Sequence, residues 1–154
     1  MDHGGETVET LVASPVDHAL DQFLTGIDHL VKVVEDGGLD HHDDAGLVDL
    51  MQRFERGRNR LSLIDHRIIR DGQARDLPGR LCQTSMVTVL AAALRISGAE
   101  ASRRVRATEQ VGDRVTMLGE PLAPVRPVLA AAQRAGEVTP DQVQVILAGL
   151  GKVD

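Results

Sequence analysis

Short apolar repeats, recurring every three or four residues and opened by capping residues, organise this chain. Six segments show this helical periodicity, and no segment alternates apolar and polar residues convincingly as a strand would. The first segment opens with Ser14, Pro15 and Asp17, a start signal of the capping-box type with proline at the first helical position, which predicts a helix over about 15–35. The expected fold class is all-α.

The next repeat predicts a second long helix over about 46–70. Its apolar positions keep an alternating three-four spacing in which Gly57 takes the one seam position without a side chain. These positions are Leu47, Leu50, Phe54, Leu61, Ile64 and Ile68. A glycine- and aspartate-rich loop separates this segment from the first helix, so we expect the two to form a long antiparallel hairpin.

Short helices are predicted for the rest of the chain, after a turn-rich break around Pro78. The expected segments are a third helix from Thr84 or Ser85 to Ile96, a fourth that begins at the Ser97–Glu100 capping box, a fifth over about 125–135 ended by Gly136, and a sixth that begins at the Thr139–Gln142 capping box. The chain ends soon after this last start. That position predicts a domain that is truncated or that another chain completes.

Charge divides the chain unevenly. Residues 1–50 hold 12 acidic residues and one basic residue, whereas residues 53–106 hold 12 arginines and five acidic residues, within a total net charge of −6. An arginine row can simply be the solvated face of a helix. It can also be a phosphate-facing stripe, with the acidic front half as its neighbour or competitor.

The segment Val89–Ala107 has the pattern of a helix-turn-helix pair. On its second helix Ala101, Val105 and Thr108 share the inward face. The candidate DNA contacts on this helix are Ser102, Arg103, Arg104, Arg106 and Gln110, and the auxiliary phosphate contacts on the preceding long helix are Arg53, Arg56, Arg60 and Arg67. The turn position that usually holds glycine is Arg95.

Other candidate chemistries are weaker. The run DHHDD at 40–44 has metal-ligand residue types, but its adjacent histidines favour a solvated acidic loop. Ser62, Asp65 and His66 are the residue types of a hydrolytic triad, yet they lie on one helix without oxyanion donors. Cys82 is expected to be a small buried hydrophobe. We therefore predict no catalytic residue, no metal site and no cofactor.

Composition and the N-terminus limit the setting. The longest apolar stretch, Met86–Leu94, is about half the roughly 20 residues of a spanning helix. Acidic residues stand where a secretory signal needs basic ones, so a cytoplasmic protein without membrane association is expected. Phe23 and Phe54 are the only aromatic residues, which disfavours proteins that stack single-stranded bases on aromatic side chains.

Three longer strings carry a resemblance to a known family. They are LRISGAEASRRVRATEQV at Leu94–Val111, LGEPLAPVRPVLAAAQRAGEVTPDQVQVI at Leu118–Ile146 and, more loosely, RFERGRNRLSLIDHRI before them. From about Leu47 the chain resembles the 13E12 repeat family, the actinobacterial domain of unknown function 222 that often precedes an HNH endonuclease domain. The chain departs from it in having no tryptophan, in ending early and in having no histidine after His66.

The resemblance implies an all-helical, non-catalytic module of a nuclease-associated, mobile-element-type protein. The expected organisation is a disordered acidic leader over 1–13, an acidic helix and loop over 14–45 and a partial family domain over 46–154. Two functions of different class remain open. The module binds double-stranded DNA through its arginines, or it is an interaction fragment whose exposed helix faces pair with a second copy or with a full-length relative.

Overall fold

The computed structural model describes residues 14–152, and this part of the chain is all-α apart from one small strand pair. The predicted leader over 1–13 lies outside the described residues. The helices are α1 (Pro15–Glu35), α2 (Asp44–Arg60), α3 (Ser62–Ala74), α4 (Leu77–Arg80), α5 (Met86–Leu94), α6 (Gly98–Val111), α7 (Pro127–Ala135) and α8 (Pro140–Leu150). Residues 1–47 and 48–154 form two compact units, which are described separately.

Helix α1 begins where its capping box predicts. The Ser14 hydroxyl oxygen accepts the Asp17 N–H at 3.2 Å, and the Asp17 carboxylate accepts the Ser14 N–H at 3.2 Å, so the box is complete. No residue of α1 is buried. The helix is followed by consecutive turns over 36–41, two residues before α2 begins.

The prediction of one continuous helix over 46–70 is wrong, because the chain changes helix at Leu61. The Leu61 N–H bonds to the Arg58 carbonyl, three residues back, which tightens the turn. The Ser62 hydroxyl donates to the Asn59 carbonyl at 2.8 Å and so competes for a backbone acceptor at the break. The antiparallel pairing of the first two predicted helices stays a prediction.

Two further differences lie in segments that the sequence marked as breaks. Residues 77–80 form the short helix α4, which is capped by the Asp76 side chain. Residues Arg114–Val115 (β1) and Pro121–Leu122 (β2) pair antiparallel, with Arg114 opposite Leu122 and Val115 opposite Pro121. The expectation of no strand is therefore corrected. Strands of two residues are too short for any alternating pattern to predict them.

Helix α6 lies between the two hydrophobic clusters of the second unit. The first cluster joins α3, α5 and α6, and its buried members are Ile69, Met86, Val89, Leu90 and Ala101. The second joins α6, α7 and α8, and its buried members are Ala107, Val111, Leu129, Val143 and Leu147. The inward face predicted for α6 is confirmed, since Ala101 and Thr108 are fully buried and Val105 packs against the first cluster.

The connection from α5 to α6 takes three residues. Arg95 adopts the left-handed conformation at φ 54° and ψ 38°, in the position where a glycine is usual. The Ser97 hydroxyl oxygen then accepts the Glu100 N–H at 3.1 Å and caps α6. Glu100 does not return the bond of a full capping box, because its carboxylate is engaged by two arginines.

Candidate functional site

A buried polar network joins three helices of the second unit. His66 on α3 places Nδ1 3.0 Å from the Thr108 hydroxyl on α6 and Nε2 3.0 Å from the Gln133 side-chain oxygen on α7. All three side chains are buried. In the neutral ring Nε2–H donates to the Gln133 oxygen, and the one hydrogen of the Thr108 hydroxyl is then shared between His66 Nδ1 and the Arg104 carbonyl, which lies 2.9 Å from that hydroxyl. The network therefore cross-links α3, α6 and α7 by directional bonds.

Burial controls the charge state of this histidine. The pKa of His66 lies below its ordinary value of 6.5 because burial disfavours the charged ring. The hydrogen bond to Gln133 and the carboxylates of Asp65 and Asp113 act in the opposite direction without cancelling the effect. His66 is therefore neutral at pH 7.

The residue types of a hydrolytic triad are not assembled. The Ser62 hydroxyl donates to the Asn59 carbonyl, Asp65 pairs with Arg104 at 3.2 Å, and His66 bonds to Thr108 and Gln133. Each of the three side chains is occupied by a partner outside the set. Nucleophile-to-base contact, which this chemistry requires, is thus not formed.

Two of the predicted DNA contacts on α6 are held by acidic side chains. Arg104 donates to Glu100 at 2.9 Å and to Asp65 at 3.2 Å, while Arg103 donates to the other oxygen of Glu100. The hydrogen bond from Arg104 is the main cause that keeps the pKa of Glu100 below its ordinary value, with Arg103 also contributing. This cluster lines a groove of about 230 Å³, in which charges of both signs are paired.

The other α6 residues predicted to contact DNA differ in their hydrogen-bond partners and their exposure. Arg106 donates to the Leu147 carbonyl at 3.2 Å near the end of α8, and the Gln110 carbonyl accepts the Arg126 N–H at 2.9 Å. The Arg103 carbonyl accepts from the Gln144 side chain on α8. Ser102 is exposed. Helix α6 is thus packed through its inward face, while Ser102, Arg103 and Arg106 remain exposed.

The four predicted phosphate contacts of α2 and α3 are all exposed. Arg53 lies 3.5 Å from Asp49, and Arg67 lies 3.9 Å from Asp71. Among residues 14–152, no acidic group lies within ion-pair distance of Arg56 or Arg60. The structure therefore leaves more positive charge free on α2 than on α6.

Two features were missed by the sequence analysis or were assigned wrongly. The hydrogen-bonded pairing of His66 with Thr108 and Gln133 has no local signal, because its members lie 42 and 67 residues from the histidine. Cys82 is exposed at φ 54°, so its expected burial is wrong. Its segment is tied by local turns and contributes to neither cluster.

Within 14–152 no group of three or more His, Cys, Asp and Glu side chains is placed to hold a metal ion, and this includes the run at 40–44. No helix in the same range has both the length and the apolar character needed to cross a bilayer.

Comparison with known proteins identifies the second unit. Residues 48–153 match DUF222, described as a domain of unknown function. An uncharacterized protein of Mycobacterium tuberculosis strain H37Rv is 35% identical over 135 residues, which cover 83% of this chain and 27% of that protein. An uncharacterized protein of Mycobacterium bovis is 34% identical over 106 residues, 66% of this chain and 22% of that protein.

The chain thus spans about a quarter of the length of these relatives. No solved structure matches it. The family match covers more than half of the chain, from α2 through α8. The chain belongs to the DUF222 family.

Proposed function

We propose that this chain is a non-catalytic helical module that associates with duplex DNA by contacting its phosphates through an arginine stripe on α2 and α3. The single observation that carries the proposal is that Arg53, Arg56 and Arg60 of α2 and Arg67 of α3 are all exposed. The spacing of three and four residues keeps the first three on one side of α2. The resemblance to modules that precede HNH nucleases supports DNA as the partner.

Helix α2 is the stronger candidate for phosphate contact, because two of its arginines have no acidic partner among the described residues. A phosphate contact gains affinity by releasing counterions, and an arginine already held by carboxylates must first give up those partners. Arg56 and Arg60 have no such partner among the described residues, whereas Arg103 and Arg104 share Glu100. The arginines of α6 would then contribute after α2 has bound.

Fluorescence anisotropy with labelled duplex DNA at several salt concentrations tests the proposal. The variant Arg56→Gln/Arg60→Gln removes the two free charges, and Arg75→Gln/Arg80→Gln removes two exposed arginines outside the stripe. We expect binding that weakens steeply with salt, and a salt slope about two units smaller in the first variant than in the second. Absence of binding at low salt, or equal loss in both variants, would refute the proposal.

The same assay separates phosphate contact from base reading by α6. Arg103→Gln and Ser102→Ala alter exposed positions of that helix. If α6 reads bases, these substitutions change the ranking of different duplex sequences. A uniform loss across sequences would assign Arg103 to phosphate contact alone.

A second candidate function is a protein-interaction module, and α1 is the observation that favours it. This helix has 21 residues and none of them is buried, although its apolar residues keep a regular three-four spacing. Helical stability in proteins comes mostly from packing an amphipathic face.

A further inference from the structure

Helix α1 carries an apolar seam with an acidic edge. The seam residues alternate by four and three, and they are Leu20, Leu24, Ile27, Val31 and Val34, all 40–50% exposed. Asp21, Asp28 and Glu35 each follow a seam residue directly and are seven residues apart. In heptad terms the seam occupies the a and d positions and the three acids occupy e.

Helices α2 and α3 carry a matching seam with a basic edge. Leu61, Ile64 and Ile68 are 40%, 56% and 59% exposed, although α3 belongs to the packed second unit. In the alternating repeat that contains them, Arg53, Arg60 and Arg67 each precede an a position and are also seven residues apart. Arg53 and Arg60 therefore occupy g positions of α2, and Arg67 keeps the same seven-residue spacing on α3, beyond the turn at Leu61.

The acidic edge of α1 and the basic edge of α2–α3 face each other only if the two helices run parallel. In a parallel pair the e positions of one helix face the g positions of the other, whereas in an antiparallel pair e faces e and g faces g. A parallel pair would thus place the three acids against the three arginines. An antiparallel pair would place the acids against Met51, Arg58 and Asp65, where the charges do not match.

The parallel pair cannot form within one chain. Helix α1 is about 31 Å long, so a parallel partner in the same chain would require the connection to run back over that length. The connection has only residues 36–43, and it is folded into turns such as the Gly38 N–H to Val33 carbonyl bond at 2.9 Å. A second copy of the chain meets the requirement without any change in the connection.

We propose that α1 of one copy lies parallel on the α2–α3 seam of a second copy, and that the second copy returns the same contact. The register that pairs all three charges sets Asp21 against Arg53, Asp28 against Arg60, and Glu35 against Arg67. It also brings Leu24 to Leu61, Ile27 to Ile64, Val31 to Ile68 and Leu20 over Gly57, while Val34 lies opposite Asp71 and Phe54 opposite Asp17. An added Cβ at Gly57 would have no heavy atom within 4 Å, so there is room for this approach.

Pairing of α1 with α1 is the less favourable use of the same face. In a parallel α1 pair the acids would face Val16, Phe23 and Leu30, and in an antiparallel pair they would face each other. Neither arrangement supplies a basic partner. The arginines at g favour α2–α3 as the occupant.

Charge reversal tests the proposal by sedimentation equilibrium over a range of protein concentrations. The natural chain is expected to show twice its 16.6 kDa mass. The acidic-edge variant Asp21→Arg/Asp28→Arg/Glu35→Arg and the basic-edge variant Arg53→Glu/Arg60→Glu/Arg67→Glu should each be monomeric, because like charges then meet. Mixed together, the two variants should form a dimer, since each α1 then meets the opposite charge.

A charge-matched variant and a check of folding serve as controls for the mass measurement. Arg75→Glu/Arg80→Glu/Arg95→Glu changes the net charge as much as the basic-edge variant but at exposed positions off the stripe, and it should stay dimeric. Circular dichroism confirms that each variant is folded. A natural chain that is monomeric at every concentration overturns the proposal, and a basic-edge variant that still dimerises assigns the interface to α1 with α1 and overturns it as well.

The two proposals can be refuted separately, one by the DNA-binding assay and the other by the mass measurement. Both proposed contacts use Arg53, Arg60 and Arg67, but Arg56 lies off the seam edge and its removal should weaken DNA binding without altering the mass. A chain that binds DNA as a constant monomer refutes the second-copy contact only. A chain that dimerises, and whose monomeric acidic-edge variant binds no DNA, refutes the proposed function only.

Discussion

At the scale of single residues, the polar contacts inside the second unit depend on partners distant in the chain. His66 has no feature that distinguishes it from a solvated helix residue, and its environment is set by Thr108 and Gln133. Asn59 similarly donates its side-chain N–H to the Gly136 carbonyl at 3.0 Å. Buried polar groups need such bonds to offset lost hydration, so these residues fix how the helices align.

His66 should make stability depend on pH. Its pKa is lowered in the folded chain, so the unfolded chain binds the proton more readily. The stabilisation is therefore complete above the unfolded-state value of about 6.5 and is lost as the pH falls from there toward the folded-state value, with a slope of at most about 1.4 kcal/mol per pH unit. Urea unfolding between pH 8 and pH 5.5 measures this change.

The matched control for this pH dependence is His66→Gln, which removes the titrating group. The variant should be less stable at pH 8, because two buried bonds are disturbed, but its free energy of unfolding should change less with pH. Equal slopes for the two proteins would show that other groups cause the dependence.

Gly136 is constrained in two ways, by its left-handed backbone conformation and by a neighbouring backbone that leaves no room for a Cβ. It ends α7 at φ 77°, and a Cβ there would lie 2.5 Å from the Arg56 carbonyl oxygen. Gly136→Ala should lower the free energy of unfolding by about 2 kcal/mol or more, since left-handed strain alone costs about 1–2 kcal/mol. Gly98→Ala, which has open space around its Cβ, should leave stability unchanged or raise it.

At the scale of helices and turns, local rules placed most of the helix starts. Ser14, Ser85, Ser97 and Thr139 each accept a backbone N–H three residues on, and three of these four caps form the full box. Capping works within one turn of the chain, so it is readable from sequence. The break at Leu61 was not readable, because the repeat of apolar residues continues through it.

The turn between α5 and α6 gives a prediction at this scale. Arg95 holds a left-handed conformation that glycine adopts without a Cβ penalty. Arg95→Gly should raise the free energy of unfolding by roughly 0.5–1 kcal/mol, the left-handed penalty less the greater flexibility of glycine in the unfolded chain. Thermal and urea unfolding measure it. Arg95→Ala removes the same charge but keeps the Cβ, so a comparable gain there would contradict the explanation.

At the scale of the whole molecule, the packed helices of the second unit share one central element. Both hydrophobic clusters take residues from α6, and α6 also supplies Thr108 to the polar network. The surface that we propose for DNA and for a second copy lies on α2 and α3, where arginines and apolar side chains are exposed side by side.

The uneven distribution of charge along the sequence has a physical consequence at this scale. Acidic α1 and basic α2–α3 are complementary, so the acidic helix of a second copy and the phosphates of DNA would compete for the same arginines. Assembly and DNA association would then exclude each other. This consequence links the two proposed surfaces.

The sequence by itself determined the helical class, the capped helix starts, the inward face of α6 and the division of charge, because periodicity, caps and net charge act over a few neighbouring residues. Only the tertiary structure decided that Arg104 of α6 also pairs with Asp65 of α3, and that His66 is buried against Thr108 and Gln133. Those contacts join residues from different helices. Their formation depends on how the helices pack, which a local pattern does not specify.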